Sequence, residues 1–159
     1  LGNYDSALPA GRARGLAFAE SFGSIVAEVV EISQPAAGSI TVHAVAVVID
    51  CGTAVNPGII EAQMQGGVVH GLTAVLWGKV TFASGVASAR NFSNYRMLRL
   101  HEMPQVSVTV IQSGAPLGGV GEPRVPPIAP AITNAYARLT GQRIRSLPLF
   151  PNAASMGGG

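Results

Sequence analysis

From Gln105 to Gln112 apolar and polar residues alternate, with Val106, Val108 and Val110 in one phase. Period two predicts a strand with one buried face. A longer β-branched run, Ser39–Asp50, is apolar on both faces in its later half, which predicts a strand covered on both sides. Before it, Ser24–Ile32 carries Ile25, Ala27 and Val29 near period two. Gln34-Pro35-Ala36-Ala37-Gly38 reads as the turn joining these two strands into an antiparallel hairpin. Residues 1–15, broken by Pro9, Gly11 and Gly15, read as a loop.

The period then changes. Asn56-Pro57 is a helix start, with Asn as N-cap and Pro in the first helical position. The helix is expected from about Gly58 to Trp77, and Gly78 stops it. Three glycines, Gly66, Gly67 and Gly71, lie inside it, each costing about 1 kcal/mol relative to alanine. Either something approaches the helix backbone closely there or the helix packs tightly on a sheet. Gln63 and Gln65 precede the glycines, and His70 follows one turn later. Lys79–Phe82 and Gly85–Ala87 read as a short hairpin, and Asn91–Arg99 as a less regular segment. Ile128, Ala131, Ile132, Ala135 and Leu139 mark a second helix, opened by Pro126-Pro127 and stopped by Gly141. The predicted fold is α+β in two layers: a mixed, mostly antiparallel sheet with two main helices on one face. Residues 1–150 form one domain, and 151–159, ending in three glycines, a flexible tail.

Composition alters this picture in one respect. Only 11% of the 159 residues are charged, against about 25% in average proteins, while 48% are hydrophobic. So little charge leaves surface to be covered by other protein, and the isolated chain is expected to self-associate or bind a partner. A net charge of +2 without basic runs argues against nucleic acid. No apolar run reaches the roughly 18 residues of a membrane span, and no signal peptide is visible. Cys51 is the single cysteine, so it makes neither an internal disulfide nor a metal site by itself. The compartment is not fixed by the sequence; bacterial cytoplasm is favoured, with periplasm as the alternative. Asp50, closing its strand, suits a turn acceptor, and His43 a solvent-side or interface position.

The candidate chemistry lies in Gly118-Gly119-Val120-Gly121-Glu122-Pro123-Arg124-Val125-Pro126-Pro127. One carboxylate stands among glycines and prolines just before a helix. A rigidly held carboxylate with free N–H groups near a helix start suits a general base or an anion site. The other reading is a Gly/Pro connector with a solvated Glu.

Three runs together are more specific than any of them alone. They are Val48–Pro57 (Val-Ile-Asp-Cys-Gly-Thr-Ala-Val-Asn-Pro), Gln63–Leu72 (Gln-Met-Gln-Gly-Gly-Val-Val-His-Gly-Leu), and Gly119–Pro123 with Pro126-Pro127. Their order and spacing resemble the C-terminal part of the large subunit of molybdenum hydroxylases. This is the xanthine dehydrogenase and aldehyde oxidase family, and the branch is that of isoquinoline 1-oxidoreductase β subunits. The resemblance runs from about Pro9 to Leu149.

It implies a molybdopterin, in bacteria the cytosine dinucleotide form, that holds molybdenum through its own dithiolene and not through protein side chains. It implies Glu122 as the base in a water-dependent hydroxylation of an N-heterocycle or aldehyde. Gln63 matches a glutamine that hydrogen-bonds the pterin. Gly66, Gly67 and the backbone of Gly119, Val120 and Gly121 would lie near the cofactor. Electrons would leave through [2Fe–2S] clusters on a partner subunit. Arg124 stands where relatives of this branch often carry a small residue. The chain is far shorter than a complete large subunit, so a fragment inactive alone is expected, with the rest of that subunit, an iron–sulfur subunit and a small-molecule substrate as partners. The alternative is a cofactor-binding or structural module without chemistry of its own.

Overall fold

The computed structural model describes residues 4–35 and 39–150. The tail and part of the first predicted turn lie outside them. The chain forms strands β1 (Arg12–Ser21), β2 (Ser24–Ser33) and β3 (Thr41–Asp50), then helix α1 (Pro57–Trp77). A two-stranded ribbon β4–β5 (Phe82–Ala83, Val86–Ala87), a 3₁₀ turn (Leu100–Glu102), strand β6 (Gln105–Ile111) and helix α2 (Val125–Thr140) follow. The sheet order is β1-β2-β3-β6. β1–β2 and β2–β3 pair antiparallel, and β6 joins parallel to β3. Both helices pack on one face, α2 over β1 and β2, α1 against β6 and α2. This is the expected mixed two-layer α+β fold.

β1 corrects the loop expected over residues 1–15, because the strand already begins at Arg12. Its helix-facing residues are small: Ala13, Gly15 and Ala17. A Cβ at Gly15 would lie 2.1 Å from the Ala131 carbonyl oxygen, so α2 sits directly on the strand's backbone. Small residues alternating with Arg, Leu and Phe leave almost no hydrophobic period to read. On the opposite face Arg12 and Arg14 pair with Glu31 across the β1–β2 ladder, at 2.7 and 3.0 Å.

β2 corrects a phase. Ile25 is 47% exposed, and the core side carries Val26, Glu28, Val30 and Ile32, each 0% exposed. Their partners across the sheet are Val45, Val47 and Ile49 of β3, and then Val106, Val108 and Val110 of β6. Helix α1 contributes Met64, Val68 and Leu72 to this core, and α2 contributes Ile128, Ala131, Ile132 and Ala135.

The caps follow the local sequence. Asn56 Oδ1 accepts from the Ile59 N–H at 3.1 Å, and Gly141 closes α2 at φ 75°. The returning chain meets the end of α1, where Leu149 and Phe150 donate to the carbonyls of Val75 and Leu76. Arg96 lies 3.9 Å over the Trp77 ring and pairs with Glu102.

Candidate functional site

The loop between β6 and α2 is fastened before Glu122 by hydrogen bonds to two other loops. Asp50 accepts from the Gly52 N–H at 2.9 Å and from Ser113 Oγ at 2.7 Å. It is the turn acceptor expected, and these bonds hold its carboxyl below the usual range. Further along, the Gly118 N–H donates to the Cys51 carbonyl at 3.0 Å and the Gly119 N–H to the Phe22 carbonyl at 2.8 Å. Ser24 Oγ donates to the Gly119 carbonyl at 2.7 Å. These contacts explain two of the loop glycines. A Cβ at Gly118 would stand 2.2 Å from Ser24 Oγ, and one at Gly119 would stand 2.9 Å from Phe22 Cβ. The chain itself occupies the space those residues leave. Gly121 differs, since a Cβ there would meet nothing within 4 Å.

After Glu122 the loop turns directly into α2, and the Val125 N–H donates to the Glu122 carbonyl at 3.0 Å. The next two residues, Pro126 and Pro127, have no N–H. The start of α2 therefore has no free donors in its first three residues, and the anion-site expectation at this helix end is withdrawn. The Glu122 side chain remains, exposed to solvent. It lines a cavity of about 640 Å³ together with Ser21, Phe22, His70, Gly121, Arg124, Val125 and Pro126. Val120 and Gly118 line a separate, smaller apolar hollow with Cys51, Ile59 and Ile60.

The residues singled out on α1 separate. Gln63 is exposed and precedes His70 by seven residues, two turns along the same side of the helix. It does not line the Glu122 cavity, whereas His70 does. Gln65 donates to Glu61 at 3.3 Å on the exposed surface. Gly66 is exposed, and a Cβ there would meet nothing within 4 Å. At Gly67 a Cβ would fall 1.5 Å from Arg124 Nε and 2.3 Å from its Cδ and Cγ. The close approach expected at the paired glycines is thus made at Gly67 by a side chain of this same protein. His43, half-buried, shares a 2.7 Å hydrogen bond with Ser33 Oγ.

Arg124 is only 8% exposed, although it begins the helix after an exposed loop. Its Nη1 donates to the Val120 carbonyl at 3.2 Å, bridging back across Glu122. Its Nε has no partner, and neither has either carboxylate oxygen of Glu28. Burial pushes the Glu28 carboxyl up to about 8, with the Arg124 charge pulling the other way. Burial likewise lowers Arg124 from its ordinary value, opposed by the charges of Glu122 and Glu28. Sequence reasoning gave Glu28 no role. The available signal was its place between Val26 and Val30 on a strand apolar in both phases.

Comparison with known proteins agrees with this architecture. A family model described as Molybdopterin cofactor-binding domain matches residues 2–104. The chain is 39% identical over 147 residues to "Isoquinoline 1-oxidoreductase subunit beta" of Brevundimonas diminuta, covering 92% of this chain and 19% of that protein. It is 32% identical over 114 residues to "Membrane-bound aldehyde dehydrogenase [pyrroloquinoline-quinone]" of Gluconacetobacter polyoxogenes, covering 72% and 15%. Among solved structures, quinoline 2-oxidoreductase from Pseudomonas putida 86 superposes with a TM-score of 0.72 at 20% identity, covering 79% of this chain and 17% of that one. That likeness is one of fold. The chain spans a fifth or less of the length of each of these proteins.

Proposed function

The chain belongs to the molybdopterin-binding large-subunit family of molybdenum hydroxylases, and from that membership we propose that it forms one wall of the cofactor crevice and carries the reaction's base, Glu122. The observation that carries this reading is the Glu122 carboxylate itself. It is exposed at a cavity of about 640 Å³, on a loop pinned on one side by Gly118, Gly119 and Ser24 and on the other by Arg124.

The residues fit such a cofactor along one edge. Gly66 and Gly121 leave backbone uncovered, since a Cβ at either would meet nothing within 4 Å. Gln63 presents a solvent-facing amide able both to donate and to accept. Among the described residues no group of three His, Cys, Asp or Glu side chains could hold a metal ion. In this reading molybdenum is held by the cofactor's own dithiolene.

In this reading Gln63 hydrogen-bonds the pterin and the uncovered backbone at Gly66 and Gly121 lies along it, while Gly119, packed on Phe22, and Val120, bonded by Arg124, shape the loop. Gly67 acts indirectly, by admitting Arg124. The cofactor, molybdopterin cytosine dinucleotide with molybdenum, supplies the two-electron oxidising centre, and water supplies the oxygen atom. Glu122 accepts the proton on a carboxylate oxygen as the oxygen nucleophile attacks the substrate carbon, and the hydrogen of that carbon's C–H bond leaves with the two electrons that the oxidising centre would take up. Phe22, Val125 and Pro126 line the same cavity beside that carboxylate. The substrate is an N-heterocycle or an aldehyde, in keeping with the two kinds of compound named for the relatives. Electrons leave through [2Fe–2S] clusters on a partner subunit. The rest of the large subunit covers the outer sheet face, where Leu16, Phe18, Ile25 and Ile111 are exposed.

General-base catalysis contributes about 10²- to 10⁴-fold in rate. In the complete, metal-loaded enzyme, Glu122→Gln is expected to slow reduction of molybdenum by substrate by that range, with molybdenum content near the parental value. The reductive half-reaction is the step to measure, because steady-state turnover also includes electron exit. A Gln variant that reduced its metal at the parental rate would remove Glu122 from the role of base and leave a cofactor wall without chemistry.

A further inference from the structure

Arg124 is a buried cation that the fold does not neutralise. It is 8% exposed, with Cγ, Cδ and Nε seated against α1 at Gly67. No ion pair reaches it from the described residues. The Glu28 carboxyl, raised to about 8, is mostly uncharged near neutral pH and supplies no counter-ion. Nor are the guanidinium's donors used up. Nη1 gives a bond to the Val120 carbonyl at 3.2 Å. Nε is shut off from solvent without a partner, whereas Nη2 has no partner among the described residues and stays accessible. A desolvated charge left unpaired is costly, and an arriving anion relieves that cost. Arg124 lines the cavity of about 640 Å³ that Glu122 also lines, so the anion's place is there. The same cavity has one large aromatic wall. Phe22 is 67% exposed and holds φ 55°, in the tight turn between β1 and β2. Asn or Gly would take that left-handed position without the strain a bulky side chain brings.

We propose that this cavity recognises a flat aromatic ring bearing a carboxylate, with Arg124 binding the carboxylate and Phe22 lying against the ring. The proposal rests on the reading of Glu122 as the base, and it narrows the substrate to an aromatic N-heterocyclic acid. The chemistry favours a carboxylate over other polar groups. A guanidinium presents parallel N–H bonds that match two carboxylate oxygens, whereas a carboxamide brings donors of its own against them. Only Pro123 separates Glu122 from Arg124, so base and anion site share one rigid stretch of backbone. A ligand held by its carboxylate at one end and by its ring face along the wall is left with few orientations. Such fixing brings a chosen ring carbon to the reacting groups.

The test measures binding to the complete, metal-loaded enzyme by equilibrium dialysis. The probes are naphthalene-2-carboxylate and naphthalene-2-carboxamide, which lack the electron-poor carbon beside a ring nitrogen and are not turned over. The parent is expected to bind the carboxylate at least about tenfold more tightly, the size of a charge-assisted hydrogen bond. Arg124→Met should abolish that preference while carboxamide affinity and molybdenum content change less than about threefold. Arg124→Lys, a point charge without the fork, should keep part of it. Phe22→Asn suits the turn and should weaken both probes alike. Absent or equal affinity for the two probes in the parent overturns the proposal without any variant. A preference that survives Arg124→Met overturns the anion site, and loss of molybdenum from Arg124→Met assigns the arginine to the cofactor and overturns it too. Unchanged affinities in Phe22→Asn overturn the ring contact. If Glu122→Gln reduces its metal at the parental rate, the base reading fails, and the dialysis still decides the carboxylate site because these probes do not react.

Discussion

Gly66 and Gly67 are neighbours on one helix, and alanine at each should shift stability in opposite directions. At Gly66 a Cβ would meet nothing within 4 Å, so Gly66→Ala brings only the helix-propensity gain, about 0.5–1 kcal/mol. At Gly67 the same gain is opposed by a collision. The atoms met, Nε, Cδ and Cγ of Arg124 at 1.5–2.3 Å, lie in the middle of the side chain, so moving the tip does not relieve them. The whole arginine must leave a site that is 8% exposed. It then loses the bond to Val120, about 1.5–3 kcal/mol for a charged donor. The balance for Gly67→Ala is a loss of about 1–2 kcal/mol. For chains of roughly this size 1 kcal/mol shifts Tm by about 2–4 °C. The two variants should therefore melt on opposite sides of the parent when followed by far-UV circular dichroism. Arg124→Ala supplies the control, because with the side chain gone Gly67→Ala should become neutral or stabilising. Gly67→Ala melting at or above the parent would refute the seating of Arg124 on α1.

Two further outcomes follow from burial and exposure. Glu28 is raised from an ordinary 4.5 to about 8, so between those pH values the unfolded chain releases a proton that the folded chain retains. Its contribution to stability is full below about pH 4.5 and is lost as pH rises toward about 8. Glu28→Gln removes that slope, so its stability relative to the parent should improve steadily from about pH 5 to pH 8 in denaturant titrations, and parallel curves would contradict the burial of an ionisable Glu28. Leu16, Phe18, Ile25 and Ile111, all 42% exposed or more, share the sheet face opposite the helices. The isolated chain should self-associate through that face, with Phe18→Ser shifting light scattering toward monomer; a monodisperse monomer at high concentration would contradict this.

Local chemistry sufficed wherever an element's own residues set its period. β6 was legible because Val106, Val108 and Val110 alternate with polar residues. Both helices were legible from the Asn56 cap, the Ile128–Leu139 stripe and the Gly141 stop. β1 was not, because the face it turns to α2 is built from alanine and glycine, which carry no amphipathic signal. The phase of β2 was not either: a strand apolar on both sides does not say which side meets a helix, and Glu28 was hidden with it.

The loop around Glu122 stood out by composition, yet its glycines looked alike. Packing against Phe22 and Ser24 separates Gly118 and Gly119 from the uncovered Gly121, just as Arg124 separates Gly67 from Gly66. Arg124 and Gly67 lie far apart along the chain, and no pattern in a window of sequence joins them. Sequence determined the elements, their ends and the one loop suited to carry a base, because propensity, capping and periodicity are short-range. Tertiary structure decided which glycine faces open space, which carboxylate is buried and which arginine is seated against Gly67, because burial and contact depend on distance in space rather than along the chain.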